Sequence, residues 1–215
     1  MLIEFNTDDD FLKELYPPRP AIEDLPEWFK NTHDDPETSI TQCMPAMDYI
    51  TSGYIIYNSY EYQLEEKVVN FKKGLAIESV NSRPEKLKKP TVFHHPSCPT
   101  PNIEKNFWRI DTDWQIKTPP GYSCLIIQPF YEFNKNYQIM PAIVDTDKYD
   151  YMLNVKGYLT GKSHALLPGE KLVQVIPFKR ENWTHTTNCK RLHSHLLHYI
   201  YGAYRKLFHS KKSYK

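Results

Sequence analysis

The chain has 215 residues, with 27 lysines and arginines against 26 aspartates and glutamates, 17 prolines against 7 glycines, and 16 tyrosines within an aromatic content of 14%. Balanced charge leaves no global field to draw the whole protein onto nucleic acid or an anionic membrane, and so many rings exceed what a disordered chain carries. No apolar run approaches the ~18–20 residues that span a bilayer, the start MLIEFNTDDD lacks the pattern of a signal peptide, and Cys43, Cys98, Cys124 and Cys189 form no close pair, so a soluble cytosolic product with free thiols is expected.

In chain order, Asp8–Asp10 can cap a short helix that places Phe11, Leu12 and Leu15 on one face before Pro17 and Pro18 stop it. PPRPAIEDLPEWFKN reads as an extended strap, and its Trp28 and Phe29 either pack into the core or anchor the strap by their rings. From Ser39 the pattern turns to β structure in SITQCM and ITSGYIIYNSYEYQLE, followed by a hairpin of KVVNF and LAIESV around Lys72–Gly74. Asn81–Lys89 is a polar surface loop and TVFHHPSCPTPN a proline-rich crossing. FWRIDTDWQIKT holds two short strands or one bent strand, with Trp108 and Trp114 on either side of a DTD turn.

Three sheet-like phrases come next: TPPGYSCLIIQPF, IVDTDKYDYMLNVKGYL and LLPGEKLVQVIPF. The first and third are each fed by a Pro-Gly turn, and their Ile, Val, Leu and Tyr residues favour half-buried pleated backbone. The end carries Leu192, Leu196, Ile200, Ala203 and Leu207 at helical spacing, an amphipathic helix with a basic tail. The expected architecture is mainly β: an antiparallel β-sandwich, jelly roll or distorted barrel over 39–180. An N-terminal helix and proline-rich strap (1–38) and a C-terminal basic helix and tail (181–215) complete one globular unit.

PPGYSCLIIQP, IVDTDKYDYMLNVKGYL and PGEKLVQVIPF resemble the dUTPase and dCTP-deaminase superfamily over about sixty residues. That resemblance implies that Asp145 occupies the place of a carboxylate that contacts deoxyribose and orients water, with Tyr149 approximately matching an aromatic residue beyond it. The chain departs from the pattern at Gln128–Tyr131, where QPFY stands in place of an arginine-serine-glycine element, and it lacks the glycine-rich arm that covers a triphosphate. LPEWFKN, TQCMPAMDYITSGYII, TPPGYSCLIIQPFY and VIPFKRENW are similar in order to a family of phage and bacterial proteins without an established chemistry. This second resemblance implies the cytoplasm of a bacterial host, or a virion, and one β-rich unit running nearly end to end.

The candidate catalytic residues are Asp145 and Asp147, two apart and so able to share one strand face and hold Mg²⁺ through oxygen ligands. Asp111 and Asp113 repeat the spacing, and turns favour aspartate for backbone hydrogen bonds as well. Tyr149, Trp108, Trp114, Lys211 and Lys212 are the candidate binding residues. Tyr54, Tyr57, Tyr60 and Tyr62 form either a stacking platform or cross-strand packing. His94, His95, His185, His193, His195, His198 and His209 show no spacing that closes a tetrahedron with a cysteine, so no metal site is expected.

The leading functional expectation is a non-enzymatic phage-type binding or assembly protein, with a protein partner or self-association and no membrane contact. The alternative is a divergent nucleotide hydrolase using Asp145 with Mg²⁺. A third reading is nucleic-acid binding through the basic tail, with the salt dependence of phosphate contacts.

Overall fold

The computed structural model describes residues 1–30, 43–69, 72–80, 92–95 and 107–189. Asp9 caps the first helix by accepting a hydrogen bond from the Leu12 N–H at 3.0 Å, and α1 (Asp10–Leu15) follows the short strand β1 (Glu4–Asn6). Of the apolar face expected on α1, only Leu12 is buried, while Phe11 and Leu15 are exposed. The proline strap then forms β2 (Arg19–Pro20), a 3-10 turn at Ala21–Glu23 and the single helical turn α2 (Glu27–Lys30).

The β reading of SITQCM and ITSGYIIYNSYEYQLE is corrected at its inner ends, Met44 and Ile50–Thr51. Met44–Thr51 is a helix, α3, with proline in its first turn, where the missing N–H costs nothing. Ala46 and Met47 follow as good helix formers, and these local preferences favour a helix. β3 (Tyr54–Tyr57) starts only after the Ser52–Gly53 joint. β4 (Glu61–Val69) and β5 (Lys72–Val80) pair antiparallel from Glu61↔Val80 to Val69↔Lys72, so Lys72–Gly74, expected at the hairpin turn, are strand residues.

The remaining strands are β6 (Val92–His95), β7 (Phe107–Asp111), β8 (Gln115–Lys117), β9 (Tyr122–Ile127), β10 (Tyr137–Ile139), β11 (Ala142–Val144), β12 (Asn154–Leu159), β13 (Ser163–Leu166) and β14 (Lys171–Lys179). FWRIDTDWQIKT is thus two strands, divided at Asp113, whose φ of 58° bends the chain. Both expected Pro-Gly turns form, with Gly121 at φ 85° and Gly169 at φ 81°. They are closed by Tyr122 N–H to Pro119 C=O at 3.2 Å and Glu170 N–H to Leu167 C=O at 3.2 Å.

The fold is mainly antiparallel β. Its sheets run β11-β9-β14-β3-β2, β10-β12-β7-β6, β13-β4-β5 and β1-β8. Among the described residues the main core gathers Trp108 and Ile110 of β7, Cys124 and Ile126 of β9, Val155 and Leu159 of β12, and Val173 and Val175 of β14, while Ala21, Ile55 and Tyr57 form a smaller cluster. The period of two accounts for this, since Phe107, Arg109 and Asp111 of β7 alternate with its buried pair and face outward. β14 is buried on both faces over Leu172–Val175, with the end of α3 on its outer side; the Gln174 amide donates to the carbonyls of Tyr49 at 2.8 Å and Ser52 at 2.7 Å. That bond pair satisfies a buried polar group and the end of a helix together. The C-terminal helix expected beyond residue 190 lies outside the described residues, and among those described no helix is long and apolar enough to cross a membrane.

Candidate functional site

The VDTD segment turns from β11 into β12. Thr146 is the buried member, its N–H bonded to Val144 C=O at 2.9 Å and its hydroxyl 2.7 Å from that of Thr118. Thr146 turns inward and Asp145 outward, its side chain 53% exposed, while Asp147 is left 6% exposed under Arg180, which meets both carboxylates. Its guanidinium lies 2.9 Å from Asp145 Oδ1 and donates to both oxygens of Asp147, one of them at 2.9 Å. Ser123 Oγ donates to Asp145 Oδ1 at 2.7 Å, Gly121 N–H donates to Asp147 Oδ2 at 2.9 Å, and the Arg180 N–H closes the loop on Gly121 C=O at 2.8 Å.

The charge-assisted bonds from Arg180, with that of the Gly121 N–H, hold the Asp147 carboxyl down to about 2. The Ser123 hydroxyl and then Arg180 lower Asp145 as well. A carboxylate whose proton affinity is reduced in this way is a poor general base near neutrality. The sequence singled out the two aspartates as a pair on one strand face; they stand instead in the turn after β11, on Arg180, which sequence reasoning missed although it stands directly after β14 in VIPFKR. The arrangement works as a clasp that joins the Pro-Gly turn, the VDTD turn and the end of β14.

The other expected residues disperse. Tyr149 lies just beyond the clasp, its hydroxyl accepting from Asn154 Nδ2 at 3.2 Å and its ring 5.8 Å from that of Tyr151. Trp108 and Trp114 are 0% and 2% exposed, so as candidate binding residues they are corrected to core residues: inward positions on the strand and turn leave them no face for a ligand. Asp111 is paired with Arg109 at 3.1 Å, while Asp113 sits in the bend that follows. Tyr57, Tyr60 and Tyr62 are buried, with the rings of Tyr60 and Tyr62 edge-on at 6.2 Å, which is packing rather than a platform. Among the described residues no group of three histidine, cysteine or acidic side chains could hold a metal. Lys211, Lys212, Cys98 and the histidines from His193 onward lie outside the described residues.

A second site, unforeseen from the sequence, forms where QPFYEF leaves β9. Gln128 Oε1 accepts from the Ile139 N–H at 2.8 Å and its C=O accepts from the Tyr49 hydroxyl at 3.2 Å, so the loop is tied to β10 on one side and to α3 on the other. Trp28 of the strap donates its indole N–H to Tyr131 C=O at 3.0 Å. Its ring lies 5.8 Å from Tyr131 and 5.7 Å from Phe133, while Tyr131 also meets Tyr49 at 5.8 Å and Phe130 at 5.2 Å.

Beside this cluster opens a cleft of 680 Å³ lined by Tyr49, Ile127, Phe130, Tyr131, Tyr137 and Ile139, among others. Phe130 and Phe133 remain 68% exposed. At the cleft's edge, Lys135 and Glu170 form an ion pair, and His164 Nε2 lies 3.3 Å from the same carboxylate. The aromatic run QPFYEF was the available signal. Its meaning depended on Trp28 and Tyr49, about 103 and 79 residues away in sequence from their partners in the loop.

No family model matches the chain, and no curated protein matches it. Among solved structures it is similar to the native EIAV dUTPase, at 10% identity and a TM-score of 0.42 over 89% of this chain and 99% of that one. A second similar structure is the dUTPase from phage phi11 of S. aureus, at 12% identity and a TM-score of 0.33 over 50% of this chain and 99% of that one. A third is a mutant dUTPase of Staphylococcus bacteriophage 80alpha with dUpNHpp, at 11% identity and a TM-score of 0.38 over 84% and 91%. Likeness at this level carries neither a substrate nor a catalytic residue over to this chain.

Proposed function

We propose that this protein is a non-enzymatic binding module and that the aromatic cleft after β9 is its contact surface. The observation that carries this reading is the exposure of Phe130 and Phe133, 68% each, on a loop held by bonds to α3, β10 and the strap. Rings kept in water at the edge of an apolar cleft gain free energy when a partner covers them, and preformed aromatic surfaces of this kind supply the anchors of protein interfaces. The cleft's 680 Å³ accepts a single large apolar side chain with room around it. The clasped aspartates support the same reading from the other side, because Arg180 already occupies the carboxylates that a catalytic site would need free.

The test uses anilinonaphthalene sulfonate as a fluorescent apolar probe. Emission is expected to rise on the folded wild type and to fall several-fold for Phe130→Asp, with the melting temperature unchanged because the ring is on the surface. Equal emission from both proteins would overturn the reading.

A nucleotide hydrolase using Asp145 with Mg²⁺ is the second reading, favoured by one observation: the Asp145 side chain is 53% exposed beside Ser123 and Arg180. It predicts that a deoxynucleoside triphosphate with Mg²⁺ at 100 times its Kd stabilises the fold by about 2.7 kcal/mol. That gain would disappear in Asp145→Asn. A melting temperature indifferent to every nucleotide would remove this reading.

A further inference from the structure

We propose that the cleft is filled by Trp183 of a second copy of this chain, so that copies join head to tail; the proposal rests on the cleft being a binding surface. β14 runs antiparallel to β9 with Gln174 opposite Ile127 at one end and Lys179 opposite Tyr122 at the other. The cleft opens at the Ile127 end, and the chain leaves the sheet at the Tyr122 end. There the Arg180 N–H makes its bond to Gly121 C=O, and the guanidinium clasp on Asp145 and Asp147 fixes the exit. Residues 181–189 beyond it are all exposed, and Trp183 is 86% exposed.

At 86% exposure the Trp183 indole holds a large apolar surface in water. It carries roughly 150–250 Å² of mostly apolar surface and is over-represented among the few residues that dominate an interface. The cleft offers the complementary chemistry, with the rings of Tyr49, Phe130, Tyr131 and Tyr137 around a volume of 680 Å³. Docking within one chain is disfavoured by reach. The three residues from Arg180 to Trp183 extend about 10 Å, whereas the five steps from Tyr122 to Ile127 already span about 17 Å of strand. A net charge of +1 sets no repulsion between copies. Anchor and cleft at opposite ends of one sheet make the contact heterologous, closing into a ring or running on as an open chain.

Sedimentation velocity of the full chain over a range of concentrations tests this. Wild type is expected to associate as concentration rises. Trp183→Ser and Phe130→Asp should each weaken association at least ~30-fold, the scale of losing one interface anchor. An equimolar mixture of the two variants should form a one-to-one complex and go no further, since each keeps the half that the other lacks. A wild type that stays monomeric throughout, or a Trp183→Ser protein that associates like wild type, would overturn the proposal. The cleft reading fails separately, when Phe130→Asp leaves the apolar-probe emission unchanged.

Discussion

Asp147 shows how one side chain couples a surface loop to the sheet. Its carboxylate takes bonds from Arg180 and from the Gly121 N–H, which hold it at about 2, against an ordinary unfolded value of about 3.9. A group whose folded pKa is depressed stabilises fully above the unfolded value, and that contribution fades as pH falls through the window toward the folded one. The melting temperature of the wild type is therefore expected to drop between about pH 4 and pH 2. In Asp147→Asn it should start lower at neutral pH and fall less over the same window. Thermal unfolding across that range checks this, and parallel curves for the two proteins would mean that the clasp adds nothing to the fold. Asp145, lowered by Ser123 and Arg180, acts in the same direction.

Among elements, the joints matter more than the strands. Asn58, 2% exposed, sits between β3 and β4, and its amide donates to Leu167 C=O at 2.9 Å and Leu166 C=O at 3.3 Å and also to Tyr60 C=O. Its own C=O accepts from the Gly169 N–H at 2.8 Å, and its N–H donates to Glu170 C=O at 2.7 Å. One residue thereby fastens the β3–β4 link to the Pro-Gly turn ahead of β14, and through Glu170 to Lys135 at the cleft's edge. Asn58→Ala leaves buried carbonyls without donors, so a loss of about 2 kcal/mol is expected in urea unfolding. A loss within error of zero would show that water replaces the amide. The α3 segment is a joint of the same kind, with Pro45 in its first turn and the Gln174 amide on the carbonyls of Tyr49 and Ser52 at its end.

At the largest scale, the main core of the described residues draws on most of the sheets, and stability is shared across it. Trp108 lies at its centre with 0% exposure, its ring 5.9 Å from that of Tyr137, and Gly157 leaves the space its indole fills: a Cβ there would stand 2.5 Å from the ring. Trp108→Ala is expected to cost about 3–5 kcal/mol, a large part of a total of about 5–15. Far-ultraviolet circular dichroism and tyrosine fluorescence should report the same shifted midpoint. Separate midpoints would mean that the sheets unfold independently. Much of this architecture was legible in advance. Pro-Gly marked the two turns before β9 and β14, the Ile, Val, Leu and Tyr residues around them marked strands, and VDTD announced neighbouring carboxylates, because strand preference, turn geometry and side-chain charge are properties of short segments. The partners were not legible. That Arg180 closes on Asp145 and Asp147, that Trp108 faces the core rather than a ligand, and that Trp28, Tyr49 and Tyr131 meet beside a cleft depend on strand order and on which strand faces which. Those contacts join residues tens of positions apart, and only the tertiary packing of the sheets brings them within bonding distance.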